Sequence, residues 1–240
     1  MTTQGIAEPA PTQELFLEQW QVYRKMVDND YLFHRGAYDC LHRYLRDEVT
    51  KPFRFLEAAC GDASMSAQAL AGTKVSEYSG IDISHQALEI ARINLARLSC
   101  PVTLEERDFV TALRDWERPA DIVWIGLSLH HLRGPEKAET LRDIRRIVGE
   151  TGRLLIYEDA SPDGETREQW LKRWDAQEPY WTAYSRREWM MVNDHVHASD
   201  FPETDSTWHA LGRSAGFTEV TTLFVSPTNL LRLYLFEAAN

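Results

Sequence analysis

The chain has 240 residues, of which 43% are hydrophobic and 26% charged, enough to bury one sizeable core. Its 37 acidic residues against 26 basic ones leave a net charge of −11. That balance argues against a nucleic-acid partner, because such binding rests on lysine and arginine neutralising phosphates. Cys40, Cys60 and Cys100 show neither a C-x-x-C pair nor zinc-site spacing and read as reduced thiols. No apolar run nears the roughly 18 residues of a membrane span, and the N-terminal stretch lacks a signal-peptide pattern, so a cytoplasmic protein without a membrane partner is expected.

Residues 1–12 are polar and carry two prolines, as a loose tail would. From Gln13 to about Val49 the pattern is helical, with Leu15, Trp20, Tyr23, Met26 and Val27 at three- and four-residue spacings; a second helix is expected over 35–47. Residues 1–50 therefore form a tail and helical lid before a core over 51–240. After Pro52 short apolar runs alternate with helical stretches. Strands are predicted at 53–57, 77–83, 102–106, 121–125 and 152–157. Helices fall at 64–70, from the Ser84 cap to about Leu98, and at 135–148, where Arg142, Arg145 and Arg146 share the solvated outer face. This alternation implies a parallel sheet covered on both faces. The stretch 160–205 carries Trp170, Trp174, Tyr180, Trp181, Tyr184 and Trp189, more than a crossover needs, and reads as a helical insertion lying over the sheet. A helix over 208–215 ends at Gly216, and strands at 218–225 and 230–237 are joined so tightly that they must form an antiparallel hairpin. The expected fold is α/β, doubly wound, with a mostly parallel seven-stranded sheet closed by that hairpin.

The segment FRFLEAACGDASMSAQAL, from Phe53 to Leu70, ends a strand in the acid Glu57 and passes through small residues into a helix. Small residues let backbone approach a ligand closely, and a helix N-terminus offers free N–H groups and a positive field. Asp82 closes the next strand, 21 residues beyond Gly61, where an acid can accept both hydroxyls of a ribose. Asp108 follows the third strand and can cap a helix or meet an adenine amine. Bland alternatives stand beside each: a turn glycine for Gly61, an N-cap for Asp82 and for Asp108. His130 and His131 follow the fourth strand. In the insertion, HVHASDFPET brings together His195, His197 and Asp200, but no metal is expected, since no regular helix is foreseen to align them. Arg167 and Arg173 among tyrosines and tryptophans suit a substrate with a carboxylate and an apolar or cationic body.

Five segments, LEAACGDAS, SGIDIS, ERDF, ADIVWIGLSLHHL and GETGRLLIYE, stand in order across roughly 53–160. Together they resemble the class I S-adenosylmethionine-dependent methyltransferases. The resemblance implies a Rossmann-like fold, S-adenosylmethionine as cofactor with S-adenosylhomocysteine as product, and methyl transfer to an oxygen or nitrogen of a small-molecule substrate. It implies that Glu57, Ala59 and Gly61 flank the methionine part, that Asp82 binds the ribose and that Ile83 packs on the adenine. Asp108 would meet the adenine amine beside Phe109, and Gly126 would offer backbone. Tyr23 and His34 would line an N-terminal cover. His131 is the expected catalytic base, and Arg167, Tyr184 and His195 the expected substrate contacts, in a monomer or homodimer. The chain departs from the family pattern at Ala59 and Ala63, where glycine is usual. Alanine disfavours positive φ, so a slightly different loop is expected. A catalytically silent relative that binds the cofactor as a sensor or partner subunit is the alternative; a dinucleotide oxidoreductase would need G-x-G-x-x-G, which AACGDAS does not supply.

Overall fold

The computed structural model of the protein describes residues 13–238; the tail expected over 1–12 lies outside them. Two helices, α1 (Gln13–Asp28) and α2 (His34–Asp47), precede the sheet. The alternating part follows as β1 (Phe53–Ala58), α3 (Ser64–Ala69), β2 (Val75–Asp82), α4 (His85–Leu95), β3 (Val102–Glu106), α5 (Phe109–Arg114), β4 (Ile122–Gly126), α6 (Gly134–Val148) and β5 (Arg153–Ser161). The insertion supplies α7 (Arg167–Asp175), α8 (Arg186–Ser199) and a two-residue strand β6 (Glu203–Thr204). Then come α9 (Asp205–Ala215), β7 (Glu219–Val225) and β8 (Leu231–Glu237).

The strands lie in the order β3-β2-β1-β4-β5-β8-β7, parallel except for β8, which runs against both β5 and β7. The central strands are buried on both faces, so their residues alternate between two cores. Phe53, Phe55, Tyr78, Trp124, Leu155 and Tyr157 belong to one. Leu56, Ala58, Ile81, Val123, Ile125, Leu154 and Ile156 belong to the other, under α5, α6 and α9. Among the described residues no helix is long and apolar enough to cross a membrane.

On the first face α1, α2, α7 and α8 form one layer. Val22, Leu41 and Leu45 share its core with Trp170, Trp174, Trp181 and Trp189. Trp174 stacks between Trp170 and Trp189, with ring centroids 6.1 and 5.7 Å away, and Trp181 meets it edge-on at 5.3 Å. Polar contacts join the two helix pairs. The Tyr184 hydroxyl donates to the Val22 carbonyl at 2.7 Å, the Ala183 N–H donates to the Tyr31 hydroxyl at 2.7 Å, and Lys25 pairs with Glu188 at 2.6 Å. The aromatics of the insertion therefore fasten it to the N-terminal helices and the sheet.

Two boundaries differ from expectation for physical reasons. β5 runs on to Ser161 because Glu158 and Asp159, polar residues that look like the start of a loop, are buried strand residues. The extra length lets Ala160 and Ser161 pair with Glu203 and Thr204, giving an eight-stranded sheet instead of seven strands. α9 begins at Asp205 because Thr204 caps it, accepting from the Thr207 N–H. The arginines of α6 do more than face solvent. Arg146 donates to the carbonyls of Leu113, Arg114 and Trp116 at the end of α5, and Arg145 to that of Gly216.

Candidate active site

The loop from β1 to α3 is held by backbone. The Cys60 N–H donates to the Ile81 carbonyl at 2.9 Å, which draws the loop against the end of β2. Asp82 completes this from below: one carboxylate oxygen accepts the Gly61 N–H at 2.7 Å and the other the Ser84 N–H at 2.8 Å. The alanines do not alter the backbone as expected. Ala59 has φ 54° and Ala63 φ 50°, with Gly61 at 52° between them. Three left-handed residues give the tight turn that glycines would give at no cost, and each alanine there costs on the order of 1 kcal/mol. Those ties, with the Ala63 N–H donating to the Cys60 carbonyl at 2.9 Å, hold the strained form.

Glu57 is buried beneath this loop, where it accepts from the Ser66 and Tyr78 hydroxyls, both at 2.6 Å. Burial disfavours the charged form and raises its pKa strongly. The two donors oppose, Asp62 and Asp82 add to the rise, and the carboxyl is pushed up to about 8.

A cavity of about 210 Å³ lies at the carboxyl ends of β1, β2 and β4, where ligands bind in open α/β sheets. Of the expected cofactor residues it brings together Tyr23, His34, Glu57, Ala59, Gly61, Asp82 and Gly126. Space stands above Gly61, where an added Cβ would meet nothing within 4 Å. His34 is buried with its Nδ1 making no hydrogen bond, and burial lowers its imidazole to about 4, so it is neutral at pH 7. Ile83, Asp108 and Phe109 are not in that wall. Ile83 is 74% exposed, while Asp108 caps α5, accepting from the Thr111 N–H and hydroxyl at 2.9 and 2.7 Å. The sequence reasoning missed Tyr38, Cys60, Leu127, Ser128 and Tyr157, which complete the lining. Tyr38 lies one helical turn beyond His34, a spacing that would have found it. The Tyr157 hydroxyl also donates to the Leu32 carbonyl at 2.7 Å.

After β4 the chain turns sharply through Leu127, at φ 53°, into a 3₁₀ turn over Leu129–His131. The acid that shapes this turn is Glu158, wholly buried in β5. It accepts the N–H groups of Ser128, Leu129 and His130 and, at 2.8 Å, His130 Nδ1. Its sequence signal was an acid directly following the apolar run of a central strand. His131 is exposed, with Nδ1 3.2 Å from Asp200 Oδ1 and its ring edge-on to His195 at 5.2 Å. His195 lines a second, more open cavity of about 460 Å³ with Val22, Tyr23, Met26, Met191 and Val192. Tyr23 stands in the walls of both cavities.

Arg167 and Tyr184 sit elsewhere. Arg167 donates to the carbonyls of Asp200 and His197, both at 2.7 Å, and closes the end of α8, while the Tyr184 hydroxyl is spent on Val22. His197 turns away from His195 to meet Asp175 at 2.7 Å. Contrary to expectation α8 is a regular helix there, and residues two apart on a helix do not face one way.

This strand order, with its one reversed strand β8 beside the edge and a cavity over the ends of β1, β2 and β4 walled by Glu57 and Asp82, is the class I S-adenosylmethionine-dependent methyltransferase fold. Within it, residues 55–152 match the family described as "Methyltransferase domain". No curated protein matches the sequence significantly. Among solved structures, magnesium protoporphyrin IX methyltransferase from Synechocystis PCC 6803 with bound S-adenosylhomocysteine is similar at 13% identity and TM-score 0.62, over 92% of this chain and 95% of that one. The S-adenosylmethionine-dependent methyltransferase SibL, in its apo form, is similar at 17% identity and TM-score 0.61, over 97% of this chain and 64% of that one. Human N-acetylserotonin methyltransferase in complex with S-adenosylmethionine is similar at 15% identity and TM-score 0.59, over 96% and 61%. Against several neighbours the chain spans only 54% to 67% of the other protein's length. At these identities the likeness is one of fold.

Proposed function

We propose that the chain transfers a methyl group from S-adenosylmethionine to an oxygen or nitrogen of a small molecule. The observation that carries this reading is the juxtaposition of two cavities sharing Tyr23, one walled by Glu57 and Asp82 and the other largely apolar. In the first, the space above Gly61 and the unpaired His34 Nδ1 fit a ligand rich in polar groups. Asp82, already fixed by two backbone donors, keeps lone pairs for the ribose hydroxyls. Glu57 would meet the methionine ammonium, with Ala59 and Gly61 flanking it and the Gly126 backbone also in the wall. Ile83, exposed just beyond Asp82, would receive the adenine, with Asp108 and Phe109 beside it. When bound, the cofactor supplies a methyl group on a sulfonium, and the protein's contribution is alignment with the acceptor and exclusion of water.

The acceptor lies in the second cavity, against Val22, Met26, Met191 and Val192. His131, the expected base, is held against Asp200 and does not line that cavity; His195 does, and it takes the proton when the acceptor is a hydroxyl. The layer of α1, α2, α7 and α8 serves as the lid over both. Arg167 and Tyr184 support that lid and leave the substrate to the apolar wall.

Calorimetric titration with S-adenosylmethionine and S-adenosylhomocysteine, on the wild type and Asp82→Ala, tests the cofactor assignment. Micromolar binding that the variant loses is the expected result; a folded protein that binds neither compound refutes the reading. Turnover with any acceptor then excludes a silent, binding-only protein.

A further inference from the structure

Beside the cavities, the end of α8 meets the turn after β4 in a cluster of imidazoles around one carboxylate. Asp200 is buried, yet its Oδ1 makes no hydrogen bond. Three ring nitrogens face that oxygen: His131 Nδ1 at 3.2 Å, His130 Nε2 at 3.8 Å and His195 Nε2 at 4.0 Å. An unpaired buried carboxylate oxygen is costly unless a cation meets it. Two further carboxyl groups, on Glu158 and Asp159, are buried beside His130, and Asp159 Oδ2 also makes no hydrogen bond. The pocket is thus rich in buried carboxyl groups, and three ring nitrogens are turned toward one of their oxygens.

We propose that His130, His131 and Asp200 bind a divalent transition-metal ion of the zinc class. Their ligand atoms all lie within 4.8 Å of one another. A tetrahedral ion with bonds of about 2.1 Å holds its ligand atoms about 3.4 Å apart, so small side-chain rotations close the set. Two imidazoles with one carboxylate favour zinc and its neighbours over magnesium or calcium, which prefer oxygen alone. His130 also has the support that metal-binding histidines have: Nδ1 is held by the Glu158 carboxylate at 2.8 Å, which fixes the ring and leaves Nε2 for the ion. His131, exposed, gives the ion a way in, and His195, its Nε2 4.0 Å from Asp200 Oδ1, stays outside the ligand set on the side of the apolar cavity. The set draws on two distant parts of the sequence, the His130–His131 pair and Asp200, so no metal-site spacing announced it.

The test uses the full chain, stripped with a chelator and titrated with Zn²⁺ alone against a chromophoric competitor. The expected result is one tightly held ion per chain, with affinity falling about 100-fold or more in Asp200→Asn and in His131→Gln. His197→Gln, whose ring pairs with Asp175 outside the cluster, is expected to bind like the wild type. Co²⁺ in place of Zn²⁺ is expected to give the strong visible absorption of a four-coordinate site. Absence of a bound equivalent in the wild type, or equal binding in Asp200→Asn, overturns the proposal, as does a weak cobalt spectrum typical of the hydrated ion. Thermal unfolding verifies each variant. Should Asp200→Asn not fold, His131→Gln, at an exposed position, carries the comparison. S-adenosylhomocysteine titration of the same samples reads the cofactor site separately.

Discussion

If S-adenosylmethionine binds against Glu57 as proposed, its binding releases a proton. The Glu57 carboxyl, pushed up to about 8, is about nine-tenths protonated at pH 7 in the free protein. An ammonium and a sulfonium brought within a few ångströms favour the ionised form, and a neighbouring opposite charge lowers a carboxyl by about 1–3 units. A drop of about two units leaves about a tenth protonated, so binding at pH 7 releases about 0.8 proton per site. The assay is calorimetry in phosphate, HEPES and Tris, where the slope of observed enthalpy against buffer ionisation enthalpy counts the protons. Release is expected to shrink to about 0.1 at pH 9, where the free carboxyl is already ionised, and to vanish in Glu57→Gln. A wild type without buffer dependence at pH 7, or a Glu57→Gln variant that keeps it, refutes the reasoning. The same group sets a stability trend. Its pKa is about 8 in the folded state against 4.5 as the reference value, so the folded chain binds more protons between those limits. The contribution is present below the reference value and lost as pH rises toward the folded one. Glu57→Gln should therefore gain on the wild type in denaturant midpoints as pH rises through that window.

Three substitutions test the packing. In Gly212→Ala the new Cβ would lie 2.5 Å from Phe236 Cδ1 and 2.7 Å from Val220 Cγ2, forcing α9 off the sheet; a loss of about 1–3 kcal/mol in urea unfolding is expected, and an unchanged midpoint counts against the close contact. Ala59→Gly removes a left-handed alanine and should stabilise by about 1 kcal/mol; destabilisation would mean that the turn is not strained. Trp174→Ala, which empties the centre of the aromatic stack, should cost about 3–5 kcal/mol and loosen α7 and α8 in hydrogen exchange. Equal protection in the variant would refute a cooperative layer.

The sheet was legible because its central strands are apolar on both sides and its edge pair is joined by too few residues to cross over. Glu57, Gly61 and Asp82 were legible because each ends a strand or opens a turn, positions defined by local pattern alone. What escaped depends on distance in sequence. Nothing local tells that Glu158 collects three N–H groups of a turn thirty residues earlier, or that Asp200 faces His130 and His131. Arg167 and Tyr184 look like recognition residues by type, yet their hydrogen-bonding ends are taken up by backbone carbonyls of the layer they hold. Ala59 and Ala63 misled in the other direction: propensity predicted a changed backbone, and tertiary ties imposed the glycine-like one.

The contacts between the N-terminal helices and the insertion join residues 152 to 163 positions apart. Closing so long a span costs chain entropy that the intervening sheet has to offset first. A ribosome that has released β1, β2 and β4 has made both acids of the first cavity and the α1 side of the second, Val22, Tyr23 and Met26, while Met191, Val192 and His195 do not yet exist. The two cavities are thus completed at different times, and a chain interrupted before residue 186 would carry the first with only the α1 side of the second.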